Sequence, residues 1–345
     1  MQLKKGIFMN ILFYDFRDAE KEYFNLHTND DFDIKFIKDS KNDFTEVAEY
    51  DSNETCIISV FTTSRINVNV LDKFKNLRLI ATRSTGFDHI DIDECARRNI
   101  RVVNVEQYGK TSISEYAIGM MIMLIRNIVP AVRDMRRQDI QTSRYVGRDL
   151  RQLKLGVLGT GAIGSSVCKI AKVLGMDILA YDAVKNTDIE SIVNYVDFET
   201  LLKESDVITL HIPYNKENHH LISVYELSIM KRGAYIINTA RGELIDIVAL
   251  YDALQTGKIA GCALDVHECE GVVLNVSRNP LLNIESADKN CIQRALITQK
   301  LAELDKVIMT PHIAYNTLDA INTILDTTFT NIRDYLKGLN TNRVV

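Results

Sequence analysis

No apolar run in the sequence is long enough to cross a membrane. The longest, at residues 116–125, lies between Glu115 and Arg126 and has about half of the roughly 20 residues that a spanning helix needs. The first eight residues contain two lysines and lead into the strand-like ILFYDF without the apolar region of a signal peptide, and they are equally consistent with a start upstream of Met9. We therefore expect a soluble, cytoplasmic protein with no membrane partner.

The sequence also has no excess of positive charge and no recognisable cysteine pattern. It contains 41 Lys and Arg residues and 46 Asp and Glu residues, and the basic residues are scattered along the chain. This distribution excludes the clustered basic surface that is usual in nucleic-acid-binding proteins. The cysteines lie far apart and contain no CxxC pair, so we expect reduced thiols rather than a zinc ribbon or a disulfide framework. They are Cys56, Cys95, Cys168, Cys262, Cys269 and Cys291.

Two series of short β-type runs, separated by helical patterns, are present instead. The first series extends from residue 9 to about residue 108, and the second begins near residue 151. Strands that alternate with helices predict parallel sheets with helices on both faces. The length of 345 residues exceeds the usual size of a single core. We therefore predict the α/β class, with two doubly wound parallel-sheet domains.

A long helix is predicted where the two series meet. Ser112 and Glu115 have the spacing of a capping box, and the apolar residues that follow cover nearly the whole circumference of the helix. Such a helix is buried on several sides, and a subunit interface is one explanation. The segment Leu318–Leu336 also has helical spacing, and we expect it to return to the first domain.

A glycine-rich loop follows the first strand of the second series. Residues 159–164 (GTGAIG) match GxGxxG and open a helical pattern, and the next strand ends at Asp182, 18 residues beyond Gly164. In dinucleotide-binding folds the glycines let the backbone approach the pyrophosphate, and the later carboxylate binds the ribose. This context predicts an NAD site. The alternatives are a glycine-rich turn that binds nothing and a solvated acid at the strand end.

Three candidate catalytic residues follow successive strands of the second domain. Arg241 follows AYIINTA, Glu270 follows GCALDVHEC and His312 follows VIMTP. The carboxyl ends of parallel strands share one edge of the sheet with the glycine-rich loop. We therefore expect the three side chains to converge beside the nicotinamide.

Each residue type suits the reduction of a carbonyl group. His312 can protonate the oxygen, because histidine titrates near neutral pH. A carboxylate at Glu270 would favour the charged imidazole and hold its ring, and the planar guanidinium of Arg241 matches a carboxylate or a ketone oxygen. Taken singly, each has a plainer interpretation as a solvated or structural residue, and only their joint placement favours catalysis.

Other polar residues near these strands are alternative candidates for catalytic or metal-binding roles. His267 and Glu268 flank the proposed site, and the plainer interpretation is a cofactor or packing contact. His219 and His220 could suggest a metal, but no third ligand stands at a recognised spacing. We therefore predict a solvated loop there and no metal.

Five motifs give the chain a resemblance to a known family. They are STGFDHID at 84–91, the loop at 159–164, NTARGELID at 238–246, LDVHECEG at 264–271 and TPHIAYNT at 310–317. Over nearly its whole length the chain resembles the D-2-hydroxyacid dehydrogenases, most closely their D-lactate dehydrogenase branch. The resemblance implies a flavodoxin-like substrate domain at residues 1–108 and 317–345, and a Rossmann NAD-binding domain at 109–316.

The resemblance also implies roles for individual residues. The family's catalytic residues correspond to Arg241, Glu270 and His312. The substrate contacts are Phe61, Thr85, Gly86, Tyr108 and Tyr315, with the backbone of Thr85 and Gly86 holding the carboxylate. The cofactor contacts are Gly159, Gly161, Ala162, Ile163, Gly164, Asp182, Pro213, Thr239, Ala240 and Asp265. The helix after Ser112 resembles the one that forms the family's homodimer, and Cys269 departs from the glycine or acid that is frequent at its position.

We predict from these observations the NADH-dependent, reversible reduction of pyruvate to D-lactate, with a small 2-oxo or 2-hydroxy acid as the substrate. Two alternatives stay open: another D-2-hydroxyacid dehydrogenase, of the 2-hydroxyisocaproate or glyoxylate/hydroxypyruvate type, and an NAD-sensing scaffold or corepressor. An L-specific lactate or malate dehydrogenase is disfavoured, because those enzymes begin with their nucleotide fold and here the glycine-rich loop arrives only at Gly159.

Overall fold

The chain divides into two compact units. They are Met1–Tyr108 with Asn316–Val345, and Gly109–Tyr315. The computed structural model describes residues 9–26, 32–37, 56–106, 108–270, 272–273 and 288–345. The predicted boundary placed Asn316 in the second domain, whereas Asn316 belongs to the first unit. It directly precedes Thr317, whose hydroxyl accepts the N–H of Ala320 at 3.1 Å and so starts the last helix.

The first unit, in its described part, is built on a five-stranded parallel sheet with the order β2-β1-β3-β4-β5. Its strands are β1 (Met9–Phe13), β2 (Phe32–Phe36), β3 (Ile57–Val60), β4 (Leu79–Thr82) and β5 (Arg101–Val103). Its helices are α1 (Lys21–Leu26), α2 (Val68–Leu71), α3 (Ile92–Arg97) and, at the end of the chain, α11 (Leu318–Leu336). Every residue of β3 and β4 is buried, as expected for strands covered on both faces.

Alternate residues of β1 and of the position directly after it enter two different apolar clusters of this unit. Ile11 and Phe13 belong to one cluster, whereas Leu12 and Tyr14 belong to the other. The ring of Phe13 stacks with that of Phe329 in α11, with ring centroids 6.4 Å apart. The C-terminal helix therefore completes the core on one face of the first sheet.

The described part of the second unit contains a seven-stranded parallel sheet with the order β12-β11-β10-β9-β6-β7-β8. Its strands are β6 (Lys154–Leu158), β7 (Asp177–Tyr181), β8 (Asn194–Tyr195), β9 (Val207–Leu210), β10 (Ala234–Asn238), β11 (Ile259–Leu264) and β12 (Val307–Met309). Its helices are α4 (Lys110–Ile125), α5 (Ile128–Arg137), α6 (Ala162–Val173), α7 (Phe198–Glu204), α8 (Val224–Ile229), α9 (Ile247–Gln255) and α10 (Lys289–Ala302). The two parallel α/β sheets confirm the predicted fold class. The strand order reverses at β6, and ligands bind at such switch points.

Helix α4 begins at Lys110, two residues before the predicted cap. Its N-cap residue is Gly109, whose carbonyl accepts the N–H of Ile113 at 2.9 Å. Ser112 therefore lies inside the first turn, and the predicted capping box does not start the helix. Among the described residues, no single helix has the length and hydropathy of a membrane span; α4 and α5 have them only together, across a 61° bend.

Candidate active site

Three glycines shape the loop between β6 and α6. Gly159 has a φ angle of 91°, and a Cβ there would lie 2.7 Å from the carbonyl oxygen of His211. A Cβ on Gly164 would lie 1.9 Å from the carbonyl oxygen of Gly159, whereas a Cβ on Gly161 would meet nothing within 4 Å. Gly161 is also the N-cap residue of α6. The unpaired N–H groups of the first turn of α6 therefore lie next to open space, and a phosphate group could bind there.

Asp182 follows β7 and closes this loop from the neighbouring strand. Its Oδ2 accepts the backbone N–H of Thr160 at 2.5 Å and the Thr160 hydroxyl at 3.0 Å, and its Oδ1 accepts the N–H of Val184 at 3.1 Å. An ionised carboxylate has about four acceptor sites. The side chain is therefore fixed by the loop and retains capacity for a ribose hydroxyl.

Three buried polar atoms at the same edge of the sheet have no hydrogen-bond partner among the described residues. They are Nδ1 of His211, after β9, the hydroxyl of Thr239, after β10, and Nδ1 of His267, after β11. Burial lowers the pKa of His211 to about 3, so this imidazole is neutral. Unpaired buried groups are rare and usually have a ligand or an ordered water. With the open space at Gly161, these atoms fit a dinucleotide such as NAD.

The other predicted cofactor residues also stand at this edge. Pro213 follows β9, Ala240 follows β10, Asp265 follows β11, and Ala162 and Ile163 begin α6.

His312 lies in the turn after β12 and is paired with Glu270. Its Nδ1 is 3.0 Å and 2.9 Å from the two carboxylate oxygens of Glu270. Because an ionised carboxylate only accepts hydrogen bonds, Nδ1 carries the proton and Nε2 is left for a substrate. The ring of Tyr315 stands edge-on to the imidazole, with ring centroids 6.4 Å apart. Two of the three predicted catalytic residues are thus in direct contact.

Asp265 fixes the turn that carries His312. Its carboxylate accepts the hydroxyl of Thr310 at 2.5 Å and the backbone N–H groups of Ile313 and Ala314 at 3.0 Å and 2.8 Å. Its carbonyl oxygen accepts the N–H of His312 at 2.8 Å, and its side chain is completely buried. Asp265 is therefore a positioning residue for His312, and its contact with the cofactor stays a prediction.

Arg241 lies in the loop after β10, which is organised by Asn238. The side chain of Asn238 accepts the N–H of Ala240 at 2.9 Å and donates to the carbonyl of Arg241 at 2.8 Å. Asn238 was not among the site residues predicted from the sequence. The available signal was a polar residue at the last position of an otherwise apolar, buried strand.

The loop of Arg241 touches the loop of Glu270 through the backbone. A Cβ on Gly242 would lie only 2.1 Å from the carbonyl carbon of His267, so glycine is required for this contact. The structure thereby gathers Arg241, Glu270 and His312 at one edge of the second sheet.

His267, an alternative candidate for the proton donor, is buried and is hydrogen-bonded to the segment after β12. Its Nε2 donates to the carbonyl of Thr310 at 2.9 Å, and burial lowers the pKa of His267. A neutral, buried imidazole suits a structural role better than that of a proton donor.

The rival Glu268 belongs to an ion-pair network. The ligand atoms of His219, His220 and Glu268 lie within 4.8 Å of one another, which supplies the third metal ligand that sequence spacing did not reveal. However, Nη1 of Arg294 lies 2.8 Å from Glu268 Oε2 and 3.3 Å from His220 Nε2. The guanidinium already supplies the positive charge, so we assign no metal to this group.

Cys269 and Cys291 are joined by a disulfide, with their Cα atoms 5.5 Å apart. This corrects the expectation of reduced thiols for these two residues. The first turn of α10 places Cys291 beside the loop of Glu270, a proximity that a separation of 22 residues in sequence does not reveal. Cys95, Cys168 and Cys262 remain free thiols.

Within the first unit, hydrogen bonds hold the loop of Thr85 and Gly86. The hydroxyl of Thr85 donates to the carbonyl of Val105 at 2.9 Å, and Asn104 donates to the carbonyl of Thr85 at 3.0 Å. The hydroxyl of Ser84 donates to the carbonyl of Gly86 at 2.6 Å. The backbone of this predicted carboxylate-binding loop is therefore preorganised.

The predicted substrate residues are divided between the two units. Phe61 follows β3 and is covered by the guanidinium of Arg17, 4.2 Å from its ring centroid. Tyr108 is the last residue of the N-terminal segment of the first unit, whereas Tyr315 belongs to the second.

The sequence profile of the D-isomer specific 2-hydroxyacid dehydrogenase NAD binding domain matches residues 118–314, which is more than half of the chain. The chain belongs to the D-2-hydroxyacid dehydrogenase family. Its cofactor is NAD, and the matched residues all lie in the second unit.

Individual relatives in this family carry different substrate names. The D-specific alpha-keto acid dehydrogenase of Enterococcus faecium is 36% identical over 283 residues, which cover 81% of this chain and 82% of that protein. The aromatic 2-oxoacid reductase of Clostridium sporogenes is 34% identical over 293 residues, with coverages of 84% and 85%. The solved structure of Aquifex aeolicus D-lactate dehydrogenase, complexed with NAD and lactic acid, superposes with a TM-score of 0.84 at 36% identity, over 97% of this chain and 99% of that chain. Identity at this level establishes the family and the cofactor but leaves the acid open.

Proposed function

We propose that this dehydrogenase reduces pyruvate to D-lactate with NADH, in a reversible reaction. The observation that carries the proposal is the pair of His312 and Glu270, in which both carboxylate oxygens lie within 3.0 Å of one ring nitrogen. This arrangement suits an imidazole that delivers a proton from its other nitrogen. The similarity to the Aquifex aeolicus enzyme over nearly the whole chain supports the same substrate.

The residues of the chain perform the acid–base part of the proposed reaction. NADH, when bound, supplies the hydride to the C2 carbonyl. His312 donates a proton from Nε2 to the carbonyl oxygen, while Glu270 keeps hold of Nδ1. Arg241 holds the substrate through the planar fork of its guanidinium. In the oxidative direction His312 accepts the proton of the 2-hydroxyl group.

Substrate size is the second part of the proposal. The family resemblance assigns the binding of the carboxylate to the backbone of Thr85 and Gly86, and it assigns the contacts with the substrate side chain to Phe61, Tyr108 and Tyr315. Three rings accommodate a methyl group more readily than an isobutyl group. Pocket size discriminates by only about 1–3 kcal/mol per methylene, so we expect a clear preference rather than complete rejection.

The test is kcat/KM with NADH for pyruvate, 2-oxobutyrate, phenylpyruvate and 4-methyl-2-oxopentanoate. Pyruvate should rank first. Phenylpyruvate in first place would favour a second candidate function, the reduction of aromatic 2-oxo acids. The similarity to the aromatic 2-oxoacid reductase of Clostridium sporogenes supports this candidate. A protein that binds NADH but turns over none of these acids would favour the NAD-sensing scaffold.

We also propose that the enzyme acts in the cytoplasm as a homodimer, through α5 rather than through the preceding helix α4 that the family resemblance implied, because most apolar residues of α4 are buried. Four exposed apolar residues form one stripe along this helix: Ile128, Val129, Val132 and Met135. Exposed apolar stripes of this kind usually mark an interface. Sedimentation velocity should give a dimer for the wild type and a monomer when Val132 and Met135 are both replaced by Asp. A monomeric wild type would contradict the proposal.

A further inference from the structure

Helix α10 holds the segment that leads to Glu270 at two points. Cys269, directly before Glu270, is joined to Cys291 in the first turn of the helix. One turn later, Nη1 of Arg294 donates to Oε2 of Glu268 at 2.8 Å. The two residues that precede Glu270 are therefore both attached to α10.

The backbone at this point needs such attachment. Cys269 has a φ angle of 56°, in the left-handed region that a residue with a side chain occupies only when its surroundings hold it there. The side chains of His312 and Glu270 are 29% and 30% exposed, so packing alone does not fix their contact. The position of the Glu270 carboxylate therefore depends on the backbone that α10 holds.

Arg294 also compensates charge. The side chain of Glu268 is only 10% exposed, and without Arg294 its negative charge would be left with Nε2 of His220, at 3.2 Å, as its close partner. Nη1 of Arg294 is also 3.8 Å from Oδ1 of Asp246, the residue that caps α9 through the N–H of Val248. The guanidinium thus links three segments next to the proposed proton-transfer pair.

We propose that Cys291 and Arg294 are positioning residues for Glu270, and that reversible formation of the Cys269–Cys291 bond controls how firmly Glu270 holds His312. The proposal rests on the roles given above to Glu270 and His312. It explains why a cysteine occupies a left-handed position beside a catalytic carboxylate. In a cytoplasmic enzyme a disulfide is usually transient and redox-sensing rather than structural.

The redox step is ordinary thiol–disulfide exchange with a small-molecule disulfide. The thiolate of one cysteine attacks a sulfur of that disulfide, forms a mixed disulfide and releases one thiolate. The second cysteine, as its thiolate, attacks the protein-bound sulfur, closes the Cys269–Cys291 bond and releases the other thiolate. Two cysteine thiols are oxidised and lose their two protons to solvent, and the small disulfide is reduced to two thiols. Excess dithiol reverses the reaction.

The oxidised enzyme should be the more active form. Without the bond, Cys269 can leave its left-handed conformation and Glu270 can move away from His312. A displacement of about 1 Å in a catalytic group can cost up to about 100-fold in rate, and we expect kcat of the reduced enzyme to fall by about 3-fold to about 100-fold, with little change in KM. The pH at which kcat/KM declines should also become lower, because the imidazolium loses its anionic partner.

The experiment uses the full-length enzyme, equilibrated either with glutathione disulfide or with excess dithiothreitol. Alkylation followed by peptide mass spectrometry scores the Cys269–Cys291 bond, and kcat, KM and the pH profile are measured on the same samples. Cys291→Ser should behave like the reduced enzyme under both conditions. Cys56→Ser, which replaces a cysteine of the first unit, should respond like the wild type.

A second set of variants tests Arg294 without changing any thiol. Arg294→Ala should lower kcat and move the pH profile in the same direction as reduction, and Arg294→Lys should restore part of both. Lys300→Ala removes a charge from an exposed position of the same helix and should change neither. His267 and Glu243, which interact electrostatically with Glu270 from neighbouring segments, are unchanged in all these variants.

Three results would overturn the proposal. The first is the absence of the Cys269–Cys291 linkage after oxidation. The second is a Cys291→Ser enzyme with a lower melting temperature but the kcat and pH profile of the oxidised wild type, since the bond would then be only structural. The third is a Glu270→Gln enzyme with an unchanged pH profile, which would remove the catalytic role of Glu270 itself and the proposal with it.

Discussion

The glycine-rich loop and the catalytic loops of the second unit reach their shapes in opposite ways. The glycine-rich loop is fixed by the absence of side chains, because a Cβ on Gly164 would fall 1.9 Å from a carbonyl oxygen. The turn of His312 is fixed by the Asp265 carboxylate, through hydrogen bonds that span 48 residues to Ile313 and 49 residues to Ala314. A steric requirement can be recognised from the local spacing of glycines in the sequence, whereas a hydrogen-bonded turn depends on residues far along the chain.

Removal of the His312 side chain should have the largest effect, and it should impair catalysis without weakening the binding of NADH. We expect kcat of His312→Ala to fall by about 10²- to 10⁴-fold, because a general acid is lost. NADH should bind as in the wild type, because the substitution does not touch the glycine-rich loop. The chain has no tryptophan, so the fluorescence of NADH itself can report binding. Retention of more than about a tenth of kcat would contradict the assignment.

Two alanine substitutions should separate fold from cofactor binding within the glycine-rich loop. Gly161→Ala adds a Cβ in open space, whereas Gly164→Ala adds one against the carbonyl oxygen of Gly159. We expect Gly161→Ala to keep the melting temperature and to bind NADH about 10- to 100-fold more weakly, since overpacking against the bound pyrophosphate costs about 1–3 kcal/mol. Gly164→Ala should lose stability even without cofactor. Equal effects of the two substitutions on melting temperature would refute the distinction.

The same contrast explains what the sequence could reveal. The GTGAIG loop was predictable because three glycines between a strand and a helix answer a local steric need. Arg241, Glu270 and His312 could be nominated because each follows a strand of one parallel sheet, and such strand ends meet at one edge. The two α/β sheets followed from the alternation of apolar runs with helical patterns.

Other features of the site depend on three-dimensional packing. The contact between Cys269 and Cys291 arises from the placement of α10, and the pairing of Arg294 with Glu268 arises from the same helix. Sequence spacing contains no signal for either. The predicted start of α4 at Ser112 was wrong because the backbone of Gly109 begins the helix without a side-chain cap.

Neutralising one carboxylate at a time sharpens the assignment of the catalytic loop. In Glu270→Gln the imidazole of His312 loses an anionic partner at 2.9 Å, so the pH at which kcat/KM declines should become lower. In Glu268→Gln the lost partner belongs to Arg294, and the shift should be smaller. The check is the pH profile of pyruvate reduction for both variants. A larger shift in Glu268→Gln would reverse the assignment.

The smallest expected effect concerns acid stability. Burial lowers the pKa of His267 below its ordinary value of 6.5, so the unfolded chain binds a proton that the folded protein does not. Above about pH 6.5, His267 therefore does not lower the free energy of unfolding. Below that pH it lowers the free energy of unfolding by at most about 1.4 kcal/mol per pH unit. His267→Gln keeps a donor for Thr310 and removes the titration. Its melting temperature should fall less than that of the wild type between pH 7.5 and pH 5.5, and an equal fall would contradict the account.

The configuration of the product tests the central claim most directly. Pyruvate is reduced with excess NADH, and the lactate is resolved into its enantiomers by chiral chromatography, with NADH consumption as the measure of total turnover. The pairing of His312 with Glu270, in a chain of the D-2-hydroxyacid dehydrogenase family, predicts D-lactate in an amount equal to the NADH consumed. L-lactate as the main product would contradict the account.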